Sequence, residues 1–374
     1  MLQIYNQIRP DIKLILEKAL DSEEISPQEA LQLLKVSGKE FIALQNTADT
    51  ICFEKRRDIV TFVINRNINF TNICHQGCKF CTFSVPITSK EGFLLSIEEI
   101  KEKVKEANNN NCSEVCIQGG IHPKLKFDYY LDLLKAVKDV NPKMHIHAFS
   151  PQEIYYISKL SGNSIENTLK YLKASGLDSI PGTAAEILVD EIRKIICPNK
   201  LNTSKWVEVI STAHKVGIPT TSTMMYGHIE DLEDRIAHLE IIRNIQQETH
   251  GFTEFVPLPF VKEKPLLSRL KDFPLKPSYG MADLKLFSVA RIFFNNYIDN
   301  IQCSWVKLGP KFAQVSLNYG VNDFSGTLME ENISKSAGAE FGEYLSAEEI
   351  IKIIKDAGKK PAQRDTLYNI INYF

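Results

Sequence analysis

Short apolar runs, rich in β-branched and aromatic residues, alternate along this chain with longer stretches whose apolar positions recur at helical spacing. The first pattern predicts strands at 58–72, 114–117, 144–149, 177–180, 219–226 and 253–258. The second predicts helices at 96–107, 129–137, 165–174, 184–195, 206–215, 232–247, 281–295 and 347–357. Segments 301–308 and 314–320 bracket a further turn. Ser96 and Glu99 form a capping box, and Gly176 and Gly217 close two of the helices. Residues 1–58 read as helical: Leu14, Ile15, Leu16, Ala19 and Leu20 share an apolar face, and Ser26-Pro27 opens a further helix that Leu31, Leu33 and Leu34 continue.

Connections between these elements are short, and no linker-like stretch divides them. The economical architecture is an α/β fold of the TIM type, a closed or slightly open (β/α)8 barrel over 59–374 ending in a helical segment, with a short helical N-terminal extension over 1–58. In such a barrel, function gathers at the C-terminal ends of the strands. A doubly wound open sheet is the alternative, but no G-x-G-x-x-G follows a strand.

Composition narrows the function classes. The 374 residues are 44% hydrophobic and 24% charged, as in globular proteins, with a net charge of −2. There is no basic field to invite nucleic acid or an anionic membrane. No apolar run reaches the length of a membrane span, and residues 1–10 lack a signal-peptide pattern. Eight cysteines in so long a chain, with three of them clustered, argue for a reducing compartment, and a cytoplasmic location is expected.

The clustered cysteines are Cys74, Cys78 and Cys81, in the order C-x3-C-x2-C. Three thiolates from one loop are one short of a closed zinc or iron–sulfur site, and the missing ligand leaves a metal position open for a reacting molecule. Gly77 lets the loop turn, and Phe80 is placed to stack on a planar group. A zinc site completed by His75 or His122 is the other reading of the same residues.

Polar and glycine-rich motifs follow the predicted strands. Gln118-Gly119-Gly120 comes first, as a simple turn or an exposed backbone surface. His145 and His147 share one strand face, as buried hydrogen-bonded imidazoles or as a second metal site. Glu186 and Arg193, seven apart, would share a helix face, and Arg193 pairs either with a ligand carboxylate or with Glu186, Asp190 or Glu191. Tyr226 and His228 are placed to reach a substrate, whereas Met224 and Met225 read as core. Glu254, within an apolar strand, needs a partner. Asn322 and Asp323 would hold a hydroxylated or nitrogen-rich substrate, or make an Asx turn. Cys112 and Cys116 flank one strand; Cys52, Cys197 and Cys303 read as buried single thiols.

C-x3-C-x2-C with an aromatic residue before the last cysteine resembles the radical S-adenosylmethionine (SAM) superfamily. That resemblance implies that Cys74, Cys78 and Cys81 hold a [4Fe–4S] cluster whose open iron binds SAM and whose electron cleaves it to methionine and a 5'-deoxyadenosyl radical. It also implies SAM contacts from Phe80, Gln118, Gly119, Gly120, Glu186, Arg193 and Gly227. The superfamily's common glycine motif carries an acidic residue where Ile121 stands here, so backbone must make that contact.

The strings N-R-N-I-N-F-T-N-I-C, H-I-H-A-F-S-P-Q-E, L-D-S-I-P-G-T-A-A-E-I-L, G-I-P-T-T-S-T-M-M-Y-G-H, G-F-T-E-F-V-P-L-P-F and N-D-F-S-G-T together are similar to one branch. It contains the 4-hydroxyphenyl transferase half of FO synthase and two menaquinone-pathway enzymes, cyclic dehypoxanthinylfutalosine synthase and aminofutalosine synthase. Thr183 and Ala184 favour the first, because the menaquinone relatives tend to carry glycines there. The resemblance implies joining of the 4-hydroxybenzyl group of L-tyrosine to 5-amino-6-(D-ribitylamino)uracil, with release of 2-iminoacetate. Tyr226, His228, Glu254, Asn322 and Asp323 would face these substrates. A reductant protein and a second radical SAM subunit that closes the deazaflavin ring would be its partners. Outside this class stand an electron-transfer iron–sulfur protein and a zinc-stabilised metabolite-binding barrel.

Overall fold

The computed structural model describes residues 2–374, with side chains from residue 4 onward. Among the described residues nine strands are present: β1 (Ile59–Val63), β2 (Asn65–Asn69), β3 (Glu114–Gln118), β4 (His145–Ala148), β5 (Thr220–Tyr226), β6 (Phe252–Pro259), β7 (Asp323–Gly326), β8 (Lys360–Arg364) and β9 (Ile370–Tyr373).

The parallel strands close into a ring. The chain through β1 and β2 is its first stave, pairing β7 at Thr61↔Asp323 and β3 at Asn69↔Gln118. β3 pairs β4, and β5 pairs β6. Two staves are reduced to bridges: Ser179 and Ile180 join β4 to β5, and Ile301 and Gln302 join β6 to β7. Counting these, the ring has eight staves, the (β/α)8 barrel that the alternation predicts. Helices surround it, and Ile100, Val104, Leu133, Leu134 and Val137 are among the residues that bury their apolar faces against it.

Several elements differ from the periodicity. The single strand expected over 58–72 is broken at Ile64, because its lower half belongs to one sheet and its upper half to another. A helix over Pro151–Ser161, capped by Ser150 and Glu153, escaped the pattern because its proline-led first turn is polar yet buried. The helix expected over 184–195 is confined to Asp190–Ile196. The residues before it form a loop with Ala184 at φ 60° and Glu186 at φ 47°, a conformation that L residues avoid unless their surroundings impose it. Glu186 and Arg193 therefore share no helix face.

The C-terminal strands were also unforeseen. β8 pairs β1 in parallel on the side where β2, higher up, pairs β3. β9 folds back antiparallel on β8, and Phe374 packs on Phe62. Lys-Pro-Ala-Gln-Arg has too little apolar character to read as a strand, and only the barrel edge supplies its partner. The N-terminal helices Pro10–Leu20, Pro27–Leu34 and Lys39–Arg56 pack on one another and on the outer helices Leu232–Thr249 and Gly280–Phe293. No helix among the described residues is long and apolar enough to cross a membrane.

Candidate active site

The loop that leaves β2 carries Cys74, Cys78 and Cys81, all half-buried. Backbone hydrogen bonds suspend it over the barrel mouth: Cys74 N–H to Val85 O at 3.0 Å, Lys79 N–H to Ile196 O at 2.8 Å and Gly120 N–H to Thr71 O at 2.8 Å. Burial pushes the Cys74 and Cys78 thiols up. The backbone N–H groups of Gln76 and Ile121 on Cys74, and the Lys200 charge near both thiols, act the other way. The Cys81 charge adds a small upward push on both, well below that of burial. Such a donor set, buried, backed by N–H groups and a cation, fits a [4Fe–4S] cluster.

Neither histidine proposed to complete a zinc site is free. His75 donates from Nδ1 to Ile121 O at 2.8 Å and lies 3.2 Å from Gln76 Nε2, while His122 Nδ1 accepts from Lys124 N–H at 3.1 Å. Among the described residues no three Cys, His, Asp or Glu groups gather as around a single ion. His145 and His147 both bond Ser179 Oγ at 2.7 Å. Cys112 packs on Met329 while Cys116 faces the barrel interior, so the two do not converge.

The glycine pair lies directly against the cysteine loop. Gly119 N–H donates to Glu153 Oε1 at 3.0 Å. A Cβ on Gly120 would stand 2.9 Å from Cys74 Cβ and closer still to Ile73 O. Gly120→Ala is therefore expected to displace the loop, at a cost of about 1–3 kcal/mol for overpacking. Iron content per chain after reconstitution and the unfolding midpoint should both fall; wild-type values for both would show that the contact is unimportant.

Below the loop the barrel encloses a cavity of about 210 Å³. Asn65, Asn67 and Asn69 alternate along β2 and all face it. Gln118, His147, Glu254 and Gln302 add polar groups from other staves. Thr183 also lines it, with a buried hydroxyl that lacks a partner among the described residues. The C-terminal segment closes the floor. Arg364 donates to Asp323 from Nε at 2.5 Å and Nη2 at 3.1 Å, Thr366 donates to Glu114 at 2.6 Å, and Tyr368 donates to Glu254. A second cavity of about 400 Å³ opens at the rim, lined by Tyr226, Gly227 and Asp283 among others.

The sequence-derived candidates thus separate. Cys74, Cys78, Cys81, Gln118, Gly119 and Gly120 meet at the mouth, and Glu254 lies at the floor. Phe80 is half-buried, with Lys200 Nζ 5.3 Å from its ring centre. Glu186 pairs with Lys200 at 2.6 Å. Arg193 is buried with its guanidinium on the carbonyls of Ala184, Ala185, Ile187 and Leu201, where it splints the positive-φ loop and has no face left for a ligand. His228 donates from Nε2 to Met225 O at 3.1 Å and accepts Ile229 N–H at 2.8 Å, so both ring nitrogens are engaged. Gly227 N–H donates to Glu230 at 2.6 Å. Asn322 is likewise spent within the fold: Oδ1 accepts from Arg291 at 2.5 Å and Ile301 N–H at 2.9 Å, and Nδ2 donates to Asn300 at 3.0 Å.

Sequence reasoning missed the asparagine row, Glu153, Lys307 and the floor of Thr366 and Tyr368. Period-two polarity in Asn-Arg-Asn-Ile-Asn and the capping box Ser-Pro-Gln-Glu were available signals for the first two. No local pattern marks the others.

Burial raises the Glu254 pKa from 4.5 to about 7; Arg364 opposes this, and Asp323 and Glu114 reinforce it. A carboxyl with a higher pKa folded than unfolded keeps a proton that the unfolded chain has released. Its contribution to stability is whole below 4.5 and is lost as pH rises through about 7. Glu254→Gln should flatten the decline in thermal stability between pH 4.5 and about 7; an unchanged slope would assign the decline to other groups, such as Glu153, which burial also raises to about 7.

A (β/α)8 barrel whose first stave leads into a three-thiol loop above a polar interior is the architecture of a radical SAM protein. Residues 68–242 match the radical SAM superfamily, and residues 249–373 match the CofH/MqnC C-terminal region. The 5-amino-6-(D-ribitylamino)uracil–L-tyrosine 4-hydroxyphenyl transferase of Archaeoglobus fulgidus is 55% identical over 325 residues, which are 87% of this chain and 92% of that one. The relative of the same name from Methanothermobacter thermautotrophicus is 49% identical over 97% of this chain and 99% of its own. The crystal structure of methylornithine synthase (PylB) superposes with a TM-score of 0.74 at 17% identity, covering 93% of this chain and 97% of that one, a likeness of fold. The chain belongs to the radical SAM superfamily and, within it, to the CofH-type family of FO synthase subunits. Its cofactors are accordingly a [4Fe–4S] cluster and SAM.

Proposed function

We propose that this protein joins the 4-hydroxybenzyl group of L-tyrosine to C5 of 5-amino-6-(D-ribitylamino)uracil in deazaflavin synthesis, releasing 2-iminoacetate. The observation that carries this reading is identity near one half, over nearly the whole chain, to relatives named for that reaction. The same relatives set it ahead of the two futalosine enzymes. When bound, the cluster and SAM supply the radical that starts cleavage of the tyrosine Cα–Cβ bond.

The chain's own share is binding, orientation and exclusion of water. Cys74, Cys78 and Cys81 hold the cluster; Phe80, Gln118, Gly119 and Gly120 border the SAM position. Asn67 and Gln302, beside Glu254, present donors and acceptors of the kind that a uracil edge and a polyol chain require, while Asn65 and Asn69 are held by Glu114, Leu328, Gln118 and Asn332. The cysteine loop above and the C-terminal segment below shield the interior from solvent, as confinement of a radical demands. A cytoplasmic location, a reductant protein and a second radical SAM subunit that closes the deazaflavin ring complete the reading.

The test is anaerobic. The reconstituted, reduced protein receives SAM with tyrosine and the ribitylaminouracil, together and singly, and mass spectrometry follows 5'-deoxyadenosine and the coupled product. Product that depends on both substrates supports the reading. SAM cleavage without coupling would remove the substrate assignment and leave the superfamily intact.

A further inference from the structure

A tyrosine that enters this barrel brings a carboxylate, and burying that charge needs a cation. Two cations line the interior cavity, Arg364 and Lys307. Arg364 is taken by Asp323 at 2.5 Å. Near the mouth, Lys200 is taken by Glu186 at 2.6 Å, and Arg193 by backbone carbonyls. Lys307 differs from all of these. It sits in the single turn Trp305–Leu308 just after the seventh stave, on the wall shared by the interior and the rim cavity. Among the described residues no carboxylate pairs with its ammonium and no acceptor bonds it. Its acidic neighbours Glu186 and Glu331 form no ion pair with it: Glu186 pairs with Lys200, and Glu331, which lines the same cavity, caps a helix by accepting Ser334 N–H at 2.6 Å.

We propose that Lys307 binds the α-carboxylate of the tyrosine substrate and so selects an amino acid over an amine that lacks this group. The proposal rests on the transferase reading and adds to it a residue and a basis for specificity. A carboxylate anchored at Lys307 fixes the Cα fragment while the side chain is released, which keeps the 4-hydroxybenzyl group over the uracil.

The test uses the full chain with its cluster. Equilibrium binding of labelled tyrosine, in the presence of SAM, is compared for wild type, Lys307→Met and Lys307→Arg, alongside the KM of each substrate. Loss of a charge-assisted bond should weaken tyrosine binding and raise its KM about 10- to 100-fold in Lys307→Met, with the uracil KM moved far less and partial rescue by arginine. In wild type, 3-(4-hydroxyphenyl)propionate should compete with tyrosine while tyramine should not, a result that stands even if the methionine variant folds poorly. Competition by tyramine equal to that of the propionate, or an unchanged tyrosine affinity in Lys307→Met, overturns the assignment. Loss of SAM binding with tyrosine binding intact also overturns it, and transfers the lysine to the SAM carboxylate. A wild type that cleaves SAM yet neither binds nor consumes tyrosine removes the transferase reading, and this inference with it.

Discussion

Replacing Cys78 with alanine is expected to abolish SAM cleavage while the barrel stays folded. With two thiols left, a [4Fe–4S] cluster would lose one of its three protein-held irons. Cys197 is the other thiol that acts electrostatically on Cys78, and it is buried. The loop itself does not depend on the thiol. Thr71 Oγ1 donates to Phe93 O at 2.6 Å, Asn72 Nδ2 to Glu91 O at 3.0 Å, and Val85 N–H to Asn72 O at 2.9 Å. Iron and sulfide per chain, the visible absorption of the cluster and 5'-deoxyadenosine formation should all collapse, with the circular dichroism spectrum retained. Cleavage that persists with a full cluster would remove Cys78 from the ligand set.

Arg364→Ala is the second large effect, and it falls on stability. The Arg364 guanidinium is buried, bonds both oxygens of Asp323, lies 3.7 Å from Glu254 and stacks 4.1 Å from the centre of the Tyr368 ring. Removing it leaves the Asp323 charge inside the barrel with only Thr61 Oγ1 and Ser325 N–H as partners. An orphaned buried charge costs about 3–5 kcal/mol, several times an exposed pair. The loss reaches the site as well: without the cation beside it, the raised Glu254 pKa should rise further. Urea unfolding at constant m would measure the cost, and a change under about 1 kcal/mol would mean that Asp323 finds water or another donor. Arg364→Lys should recover part of the loss, because a lysine keeps the charge without the fork that grips both oxygens.

These two residues mark the limit of what could be read in advance. The cysteines were legible because their chemistry is local: three thiols of one loop stay together whatever the rest of the chain does. The barrel was legible for a related reason, since alternating periods with short connections leave few ways to bury both faces of a parallel sheet. The break of the first stave at Ile64 and the pairing of β8 were not, because both depend on which distant strand supplies the hydrogen bonds. Arg193 and Asn322 show the same limit from the other side. Residue type suggested ligand contacts, but an arginine and an asparagine serve backbone carbonyls and neighbouring amides equally well, and only the folded positions decide which. His228 likewise has both nitrogens engaged by its own turn.

The chain's local order therefore established the barrel, the three-cysteine loop and, through strings of neighbouring residues, the family. Tertiary structure alone decided which polar groups share the interior. Asp323 and Arg364 are 41 positions apart, Glu254 and Tyr368 are 114, and Glu114 and Thr366 are 252. A lone polar residue in such a sequence carries no mark of its partner. The desolvation that makes it matter, and the charge that relieves it, exist only once the barrel has closed and its last segment has sealed the floor.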